Sequence, residues 1–275
     1  MPAALLDYDG YICKSFYANK EDMMDFTKAE EILNDLKYSA WKKAANYFKC
    51  DMSDVMLYPI ISGHSWKKDI YPSYKRTRKR DEYLGMYRQI ISERKEVIKV
   101  EPLEADELLI ILNDYIKDFE DGKCIVFSDD KDLRYYADTY CKINITEQVV
   151  SQDPQALIYN QLAQMLIGDK EDNINGVPKV GEKTAHKILS QCGYTLKNVI
   201  QVFKEKEIDI DMTLRDLLLV VPLSETYLND VDAAYKVANS ILNGMKPNDL
   251  DVHNAIIGQI EYIRDNVMEV YNDKN

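Results

Sequence analysis

The chain has 275 residues, 46% of them apolar, and a formal net charge of −12, a profile that suits one large globular domain or two smaller ones. No apolar run approaches the ~18 residues needed to cross a membrane and no N-terminal signal pattern occurs, so a cytoplasmic protein without a membrane partner is expected. Five scattered cysteines without a CxxC pair, and three histidines (His64, His186, His253) without ligand spacing, argue against a disulfide framework or a zinc site and leave oxygen as the donor for any metal.

In chain order, Ala3 to Tyr8 reads as a short strand that ends in the turn Asp7-Tyr8-Asp9-Gly10. Residues 28–49 carry Ile32, Leu33, Leu36, Ala40, Trp41, Ala44 and Phe48 at helical spacing. Val55 to Ile61 predicts a second strand. A basic stretch follows, then a helix from about 82 to 95 and a short strand at Val97 to Val100. Glu104 to Phe119 is a helix with Leu108, Leu109, Ile111, Leu112, Tyr115 and Ile116 as its apolar positions. Cys124 to Phe127 and Tyr140 to Ile145 are further strands. Strands alternating with helices imply an α/β fold with a mainly parallel sheet, whose functional loops lie at the strands' carboxyl ends. Beyond about residue 150 the pattern is all-helical, with helices at Pro154 to Ile167, 182–191, 195–206, 212–220, 229–243 and 252–271. Two parts are expected, 1–150 and 151–275.

Four acidic clusters stand out: Asp7/Asp9, Glu104/Asp106/Glu107, Asp130/Asp132 and Asp169/Asp172. Single Asp pairs in loops are commonly turn chemistry, and acids at a helix start commonly answer the helix dipole. Four such clusters at the ends of elements point instead to convergence. Hydrolysis of a phosphodiester needs a hydroxide near phosphorus and relief of charge on the leaving oxygen, which two divalent ions about 4 Å apart supply. Magnesium keeps several waters and asks the protein for only a few carboxylates.

The stretch Lys67 to Arg80 holds seven cations and one anion in an acidic chain. It is either a solvated face or a track for a nucleic-acid backbone, with Tyr71 and Tyr74 as rings for base stacking. The segment from Gly176 to Ala185 is a tight hairpin entering a helix. It is either an ordinary interhelical turn or a phosphate-binding helix start, with Lys183 as an ion contact. Glu182 directly after Gly181 excludes a Walker A loop.

Taken in order, Leu5-Leu-Asp-Tyr-Asp9-Gly10, Tyr71-Pro-Ser-Tyr74-Lys75-Arg-Thr-Arg78, Leu103-Glu104-Ala-Asp106-Glu107, Ser128-Asp-Asp130-Lys-Asp132, Gly168-Asp169-Lys-Glu-Asp172-Asn173 and Gly176-Val-Pro-Lys179-Val-Gly181 resemble the 5′ nuclease and flap endonuclease superfamily. The nearest likeness is to phage-encoded 5′–3′ exonucleases and the 5′-nuclease domain of bacterial DNA polymerase I. The resemblance implies a PIN-like core with an arch at about 62–96 and a helix–three-turn–helix (helix-hairpin-helix) module at about 160–190. It implies a metal-dependent 5′–3′ exonuclease and flap endonuclease, acting as a monomer on DNA with 5′ ends, nicks or flaps, or on RNA–DNA hybrid, in replication. Asp9, Glu104, Asp106, Glu107, Asp130, Asp132, Asp169 and Asp172 become metal-site carboxylates for two or more magnesium or manganese ions. A monovalent cation is implied at the glycine hairpin. Lys75, Tyr74 and Arg78 take the catalytic places beside the scissile phosphate. Lys67, Lys68, Arg76, Lys79, Arg80, Gly176, Lys179, Gly181, Lys183 and Thr184 become DNA contacts.

Three positions depart from the family pattern. Ser62 stands where a further Asp is usual after the second strand, Glu107 replaces an Asp, and Lys179 replaces a hairpin Gly. The competing readings are a PIN-type ribonuclease, which normally lacks the hairpin, and a DNA junction-binding protein with weak catalysis.

Overall fold

A computed structural model describes residues 1–19, 25–78, 81–119 and 122–273. Its strands are β1 (Ala3–Asp7), β2 (Met56–Ile60), β3 (Cys124–Phe127), β4 (Thr139–Ile143) and β5 (Thr146–Val150). Its helices are α1 (Tyr8–Ala18), α2 (Phe26–Phe48), α3 (Lys67–Ile70), α4 (Glu82–Ser92), α5 (Ala105–Phe119), α6 (Pro154–Ile167), α7 (Glu182–Cys192), α8 (Leu196–Glu205), α9 (Ile210–Val220), α10 (Asp232–Leu242) and α11 (Asp249–Asn272). Two compact units emerge. One comprises Met1–His64, Lys79–Gln152 and Ala238–Pro247; the other comprises Ser65–Arg78, Asp153–Val237 and Asn248–Asn275.

The first unit is built on a five-stranded sheet in the order β2-β1-β3-β4-β5. β1, β2, β3 and β4 are parallel, and β5 closes the edge antiparallel to β4. The apolar runs Ala3–Leu6 and Cys124–Phe127 are buried throughout, as parallel strands covered on both faces require. Tyr8, Ile12 and Phe16 recur at helical spacing along α1 and enter one core with Leu33, Ala40 and Ala44 of α2 and Tyr87 and Ile91 of α4. Since β1 lies between β2 and β3, the strand order reverses beside the carboxyl end of β1. Open α/β sheets present ligand sites at such a switch point.

Three local expectations are corrected. Residues 8–18 form α1 rather than a turn, because the Tyr8, Ile12, Phe16 stripe outweighs the single glycine. Val97 to Val100 is not a strand: only Ile98 bridges to the sheet, and Pro59 offers it a carbonyl but no N–H. A β4–β5 hairpin replaces the single strand read at 140–145. Its two-residue turn puts Asn144 at φ 56°, a conformation that Asn tolerates well.

The second unit is helical. Asp153 caps α6 by accepting the N–H groups of Gln155 and Ala156, and Pro154 takes the first turn, where its missing N–H costs nothing. α8 buries Val199, Ile200 and Phe203, and α11 buries Val252, Ala255, Ile256, Ile263 and Val267; these two helices pack together. Among the described residues no helix is long and apolar enough to cross a membrane.

Candidate functional site

In the first unit the carboxylates gather at the sheet's carboxyl end. Asp7 is the last residue of β1 and stands at the N-cap of α1, yet its side chain makes no cap bond. It accepts the Ser128 hydroxyl instead, at 2.7 Å. Ser128 follows β3, and its Oγ in turn accepts the Asp130 N–H at 3.0 Å. Burial pushes the Asp7 carboxyl up to about 6, the Ser128 hydroxyl opposes that rise, and the charges of Asp9, Asp130 and Asp106 add to it. These four carboxylates therefore share one electrostatic environment.

They are gathered but not converged. Among the described residues no three His, Cys, Asp or Glu side chains are placed to hold one metal ion. Asp130 accepts the Asp132 N–H at 2.8 Å, and Asp106 accepts the Glu107 N–H at 2.9 Å. Glu107 is fully buried and accepts the Glu104 N–H at 3.0 Å, so it caps α5. Glu104 is buried as well, whereas Asp132 is exposed. Asp9 is bound by Arg88 of α4, whose Nε donates to Oδ1 at 2.6 Å. Ser62 turns its Oγ to the Ala105 N–H at 3.1 Å, so its hydroxyl helps to cap α5. Asp7 is the residue that motif reading passed over in favour of Asp9. The signal available was position, since it ends the strand whereas Asp9 lies a turn further on.

The second unit joins the segment Tyr71–Arg78 to the acidic loop. Asp169 and Ile174 exchange both backbone hydrogen bonds, and the Asp169 carboxylate accepts the Glu171 N–H at 2.8 Å and the Asp172 N–H at 3.3 Å. Lys75 has φ 54°, donates its N–H to the Asp172 carbonyl at 3.1 Å and brings Nζ to 4.0 Å from the Asp172 carboxylate. Arg78 donates to the other oxygen of that carboxylate. Burial raises the Asp172 pKa, while Lys75 and then Arg78 pull it down.

Several nucleic-acid contacts expected from the basic stretch are corrected. Tyr74 is 3% exposed and packs with Ile174 and Leu219, so its ring is core rather than a stacking surface. It still serves Lys75, whose Nζ lies 4.7 Å from the ring centroid. Tyr71 packs against the same cluster with Arg215 over its ring at 4.6 Å. Lys67 is 2% exposed, which removes it from any surface track. Lys68 is half-buried and Arg76 exposed; Lys79 and Arg80 lie outside the described residues.

In the glycine hairpin, Gly176 (φ 62°) is buried against the backbone of Ile167 and Gly168, where an added Cβ would come within 2.4 Å of the Gly168 nitrogen. Its close approach is thus to its own chain and not to a phosphate. Gly181 is different: it is exposed, has open space around it and stands at the N-cap of α7 without a side-chain cap. Lys179, Lys183 and Thr184 are exposed around it. Lys179 has φ 65°, which accounts for the glycine usual at this place. Lys179→Gly is expected to raise stability by about 0.5–1 kcal/mol, the left-handed penalty less the glycine's unfolded-state entropy. Calorimetry should record a melting temperature ~1–3 °C higher; an unchanged or lower value would show that the turn carries no strain.

No family model matches the chain. An alignment 119 positions long, taking in 39% of the chain, is 34% identical to DNA polymerase I of Bacillus caldotenax, of which it covers 13%. An alignment 129 positions long, taking in 42% of the chain, is 29% identical to a 5′-3′ exonuclease of Halalkalibacterium halodurans, of which it covers 39%. The match thus spans well under half the length of either relative. The fold is that of the bacteriophage T5 D15 protein crystallised with metal ions, with a TM-score of 0.56 over 99% of this chain and 100% of that one at 14% identity.

Proposed function

We propose that this chain is a member of the 5′ nuclease superfamily and a divalent-metal-dependent 5′–3′ exonuclease and structure-selective endonuclease, a reading that the partial likeness to a 5′-3′ exonuclease and the shared fold support. It hydrolyses DNA phosphodiester bonds at 5′ ends, nicks and flaps, as removal of primers or displaced strands in replication requires. The observation that carries this reading is Asp7. A carboxylate at an N-cap that forgoes the cap bond, is largely withdrawn from water though not fully buried, and lies within the field of Asp9, Asp106 and Asp130 is costly to fold. That cost is the mark of a group kept for a cation.

The donor set fits a hard ion. Every titratable side chain that raises the Asp7 pKa is a carboxylate, which suits magnesium or manganese. Asp7, Asp106 and Asp130, which share one field, would have to draw together to hold it in the first unit, and the resemblance adds Glu104 and Asp132. The resemblance assigns Asp169 and Asp172 of the second unit the same role. Bound divalent ions would supply an activated water and offset charge on the leaving oxygen.

The chain's own contribution is orientation and charge. Ser128 fixes the Asp7 carboxylate and the Asp130 backbone together. Lys75, held by its left-handed backbone and the Tyr74 ring, presents a cation for the scissile phosphate, with Arg78 beside it. The uncapped N-terminus of α7, with Gly181, Lys183 and Thr184 exposed, offers N–H donors and positive charge to a duplex phosphate.

The test is a labelled 5′-flap DNA, with a single-stranded RNA of the same sequence in parallel, incubated with magnesium or with chelator. Metal-dependent cleavage near the flap junction of the DNA is the expected result. Cleavage of the RNA alone would make the chain a ribonuclease, and binding without cleavage would make it a junction-binding protein; either overturns the proposal.

A further inference from the structure

Asp9 and Asp7 lie two residues apart, and motif reading gives the metal to Asp9. Their surroundings differ. Both oxygens of Asp9 are engaged. Oδ1 accepts Arg88 Nε at 2.6 Å, and Oδ2 accepts Arg88 Nη2 at 3.3 Å and the Ser62 N–H at 2.8 Å. The same Arg88 Nη2 donates to the Ser62 carbonyl at 2.5 Å. Arg88 therefore forks across one carboxylate and one carbonyl, and the donors and acceptors of Ser62 and Asp9 close the ring. These groups come from α1, from the loop after β2, and from α4. Ser62 also reaches α5 through its hydroxyl. One guanidinium thus ties α4, α1 and the loop after β2 together at the carboxyl end of the sheet, and Ser62 carries the tie on to α5.

A cation placed on Asp9 would stand directly against this guanidinium, and like charges at that separation repel. The forked pair is also charge-assisted and only partly exposed, with the Asp9 and Arg88 side chains 25% and 34% accessible. We infer that Asp9 is not a metal ligand but the anchor of a positioning residue, Arg88, which pins α4 and the Ser62 loop to the strand end that carries Asp7. Ser62 belongs to the same device. Its backbone serves the ring and its hydroxyl serves α5, so the carboxylate usual in relatives is replaced by a structural joint.

The consequence concerns substrate placement. α4 packs against α1, the helix that starts at Asp7, so fixing α4 steadies the strand end at which a bound phosphate would meet the carboxylates. Loosening it should cost rate in the bound complex rather than affinity for DNA or metal.

This inference rests on reading the Asp7 cluster as the metal site, and the experiment separates the two. Manganese binding is followed by electron paramagnetic resonance, without DNA, for the wild type and for Asp7→Asn, Asp9→Asn and Arg88→Met. The expected result is binding at least about tenfold weaker for Asp7→Asn and within about twofold of wild type for the other two. Asp9→Asn as weak as Asp7→Asn would overturn the inference and leave the metal site standing. Unchanged binding in Asp7→Asn would sink the metal site itself.

Single-turnover cleavage gives the second readout. Arg88→Met should cleave about tenfold more slowly at saturating DNA with its DNA dissociation constant within about twofold. The Asp9→Asn/Arg88→Met pair should be no slower than either single variant, because the two act as one unit. Arg88→Lys keeps the charge but loses the fork and should recover only part of the rate. An Arg88→Met enzyme with wild-type rate and wild-type metal binding would show that the ring positions nothing. That comparison remains decisive if Asp9→Asn does not fold.

Discussion

Asp7→Asn should abolish cleavage and, in metal-free buffer near neutral pH, should melt at a higher temperature than the wild type. Asparagine keeps the shape and a partner for the Ser128 hydroxyl but removes the charge. The folded-state carboxyl titrates near 6 and the unfolded one near 3.8, so the folded protein binds this proton more tightly. Its contribution to stability is complete below about pH 4 and is lost as pH rises through 6. The wild type therefore carries a penalty of about 1–3 kcal/mol at pH 7 that the variant lacks. The gain in melting temperature should be largest at pH 7–8 and should vanish near pH 4. Added magnesium should narrow it by stabilising the wild type more than the variant, since an ion that binds only the folded state stabilises it by mass action. A variant less stable than wild type at pH 7.5 without metal would mean that Asp7 is a structural cap and not a group held at a cost.

The pattern of what was legible follows from where the information lies. α6 was read residue for residue because Asp153, Pro154 and Gly168 mark both of its ends locally. Likewise β1 and β3 appeared as short apolar runs, since a strand covered on both faces needs them. By contrast β5, the segment Thr-Glu-Gln-Val-Val, is almost wholly exposed at the sheet edge, and an exposed edge strand has no burial pattern to betray it.

The site was legible as a set of carboxylates but not as an assignment among them. Asp7 and Asp9 are identical in type and nearly so in position. Beyond the strand end that Asp7 occupies, what distinguishes them lies far off in sequence: Ser128 on Asp7, and Arg88, 79 residues away, on Asp9. Tyr74 and Lys67 looked like surface groups in a charged stretch. Tyr74 is buried by Ile174 and Leu219, far from it in sequence, and nothing in the residues flanking Lys67 marks it as buried. Lys179 is the opposite case, a departure from the usual glycine that the backbone angle accounts for directly.

Lys75→Ala should lower the single-turnover rate at saturating DNA and metal by about 10²–10³ while changing DNA affinity by less than about threefold, the signature of a group that acts on charge developing in the transition state. The substitution is clean for a structural reason. Lys75 is anchored by its backbone N–H on the Asp172 carbonyl, a bond that alanine retains, and alanine adopts φ 54° at about the same cost as lysine. What is lost is the ammonium that lies over the Tyr74 ring and 4.0 Å from the Asp172 carboxylate; Arg78 stays on that carboxylate, so the melting temperature should fall only modestly. Arg76 supplies the contrast. It is exposed, and its side chain has no anionic partner among the described residues. If it meets a phosphate away from the reacting bond, Arg76→Ala should weaken binding, reduce the salt dependence of log K by ~0.9 and leave the bound-state rate intact. The two neighbours thus separate chemistry from grip. Should Lys75→Ala lose affinity and keep its rate, as Arg76→Ala is expected to do, Lys75 would be an ordinary phosphate contact, and the cation at the scissile bond would have to come from another side chain, with Arg78, paired on the same Asp172 carboxylate, first in line.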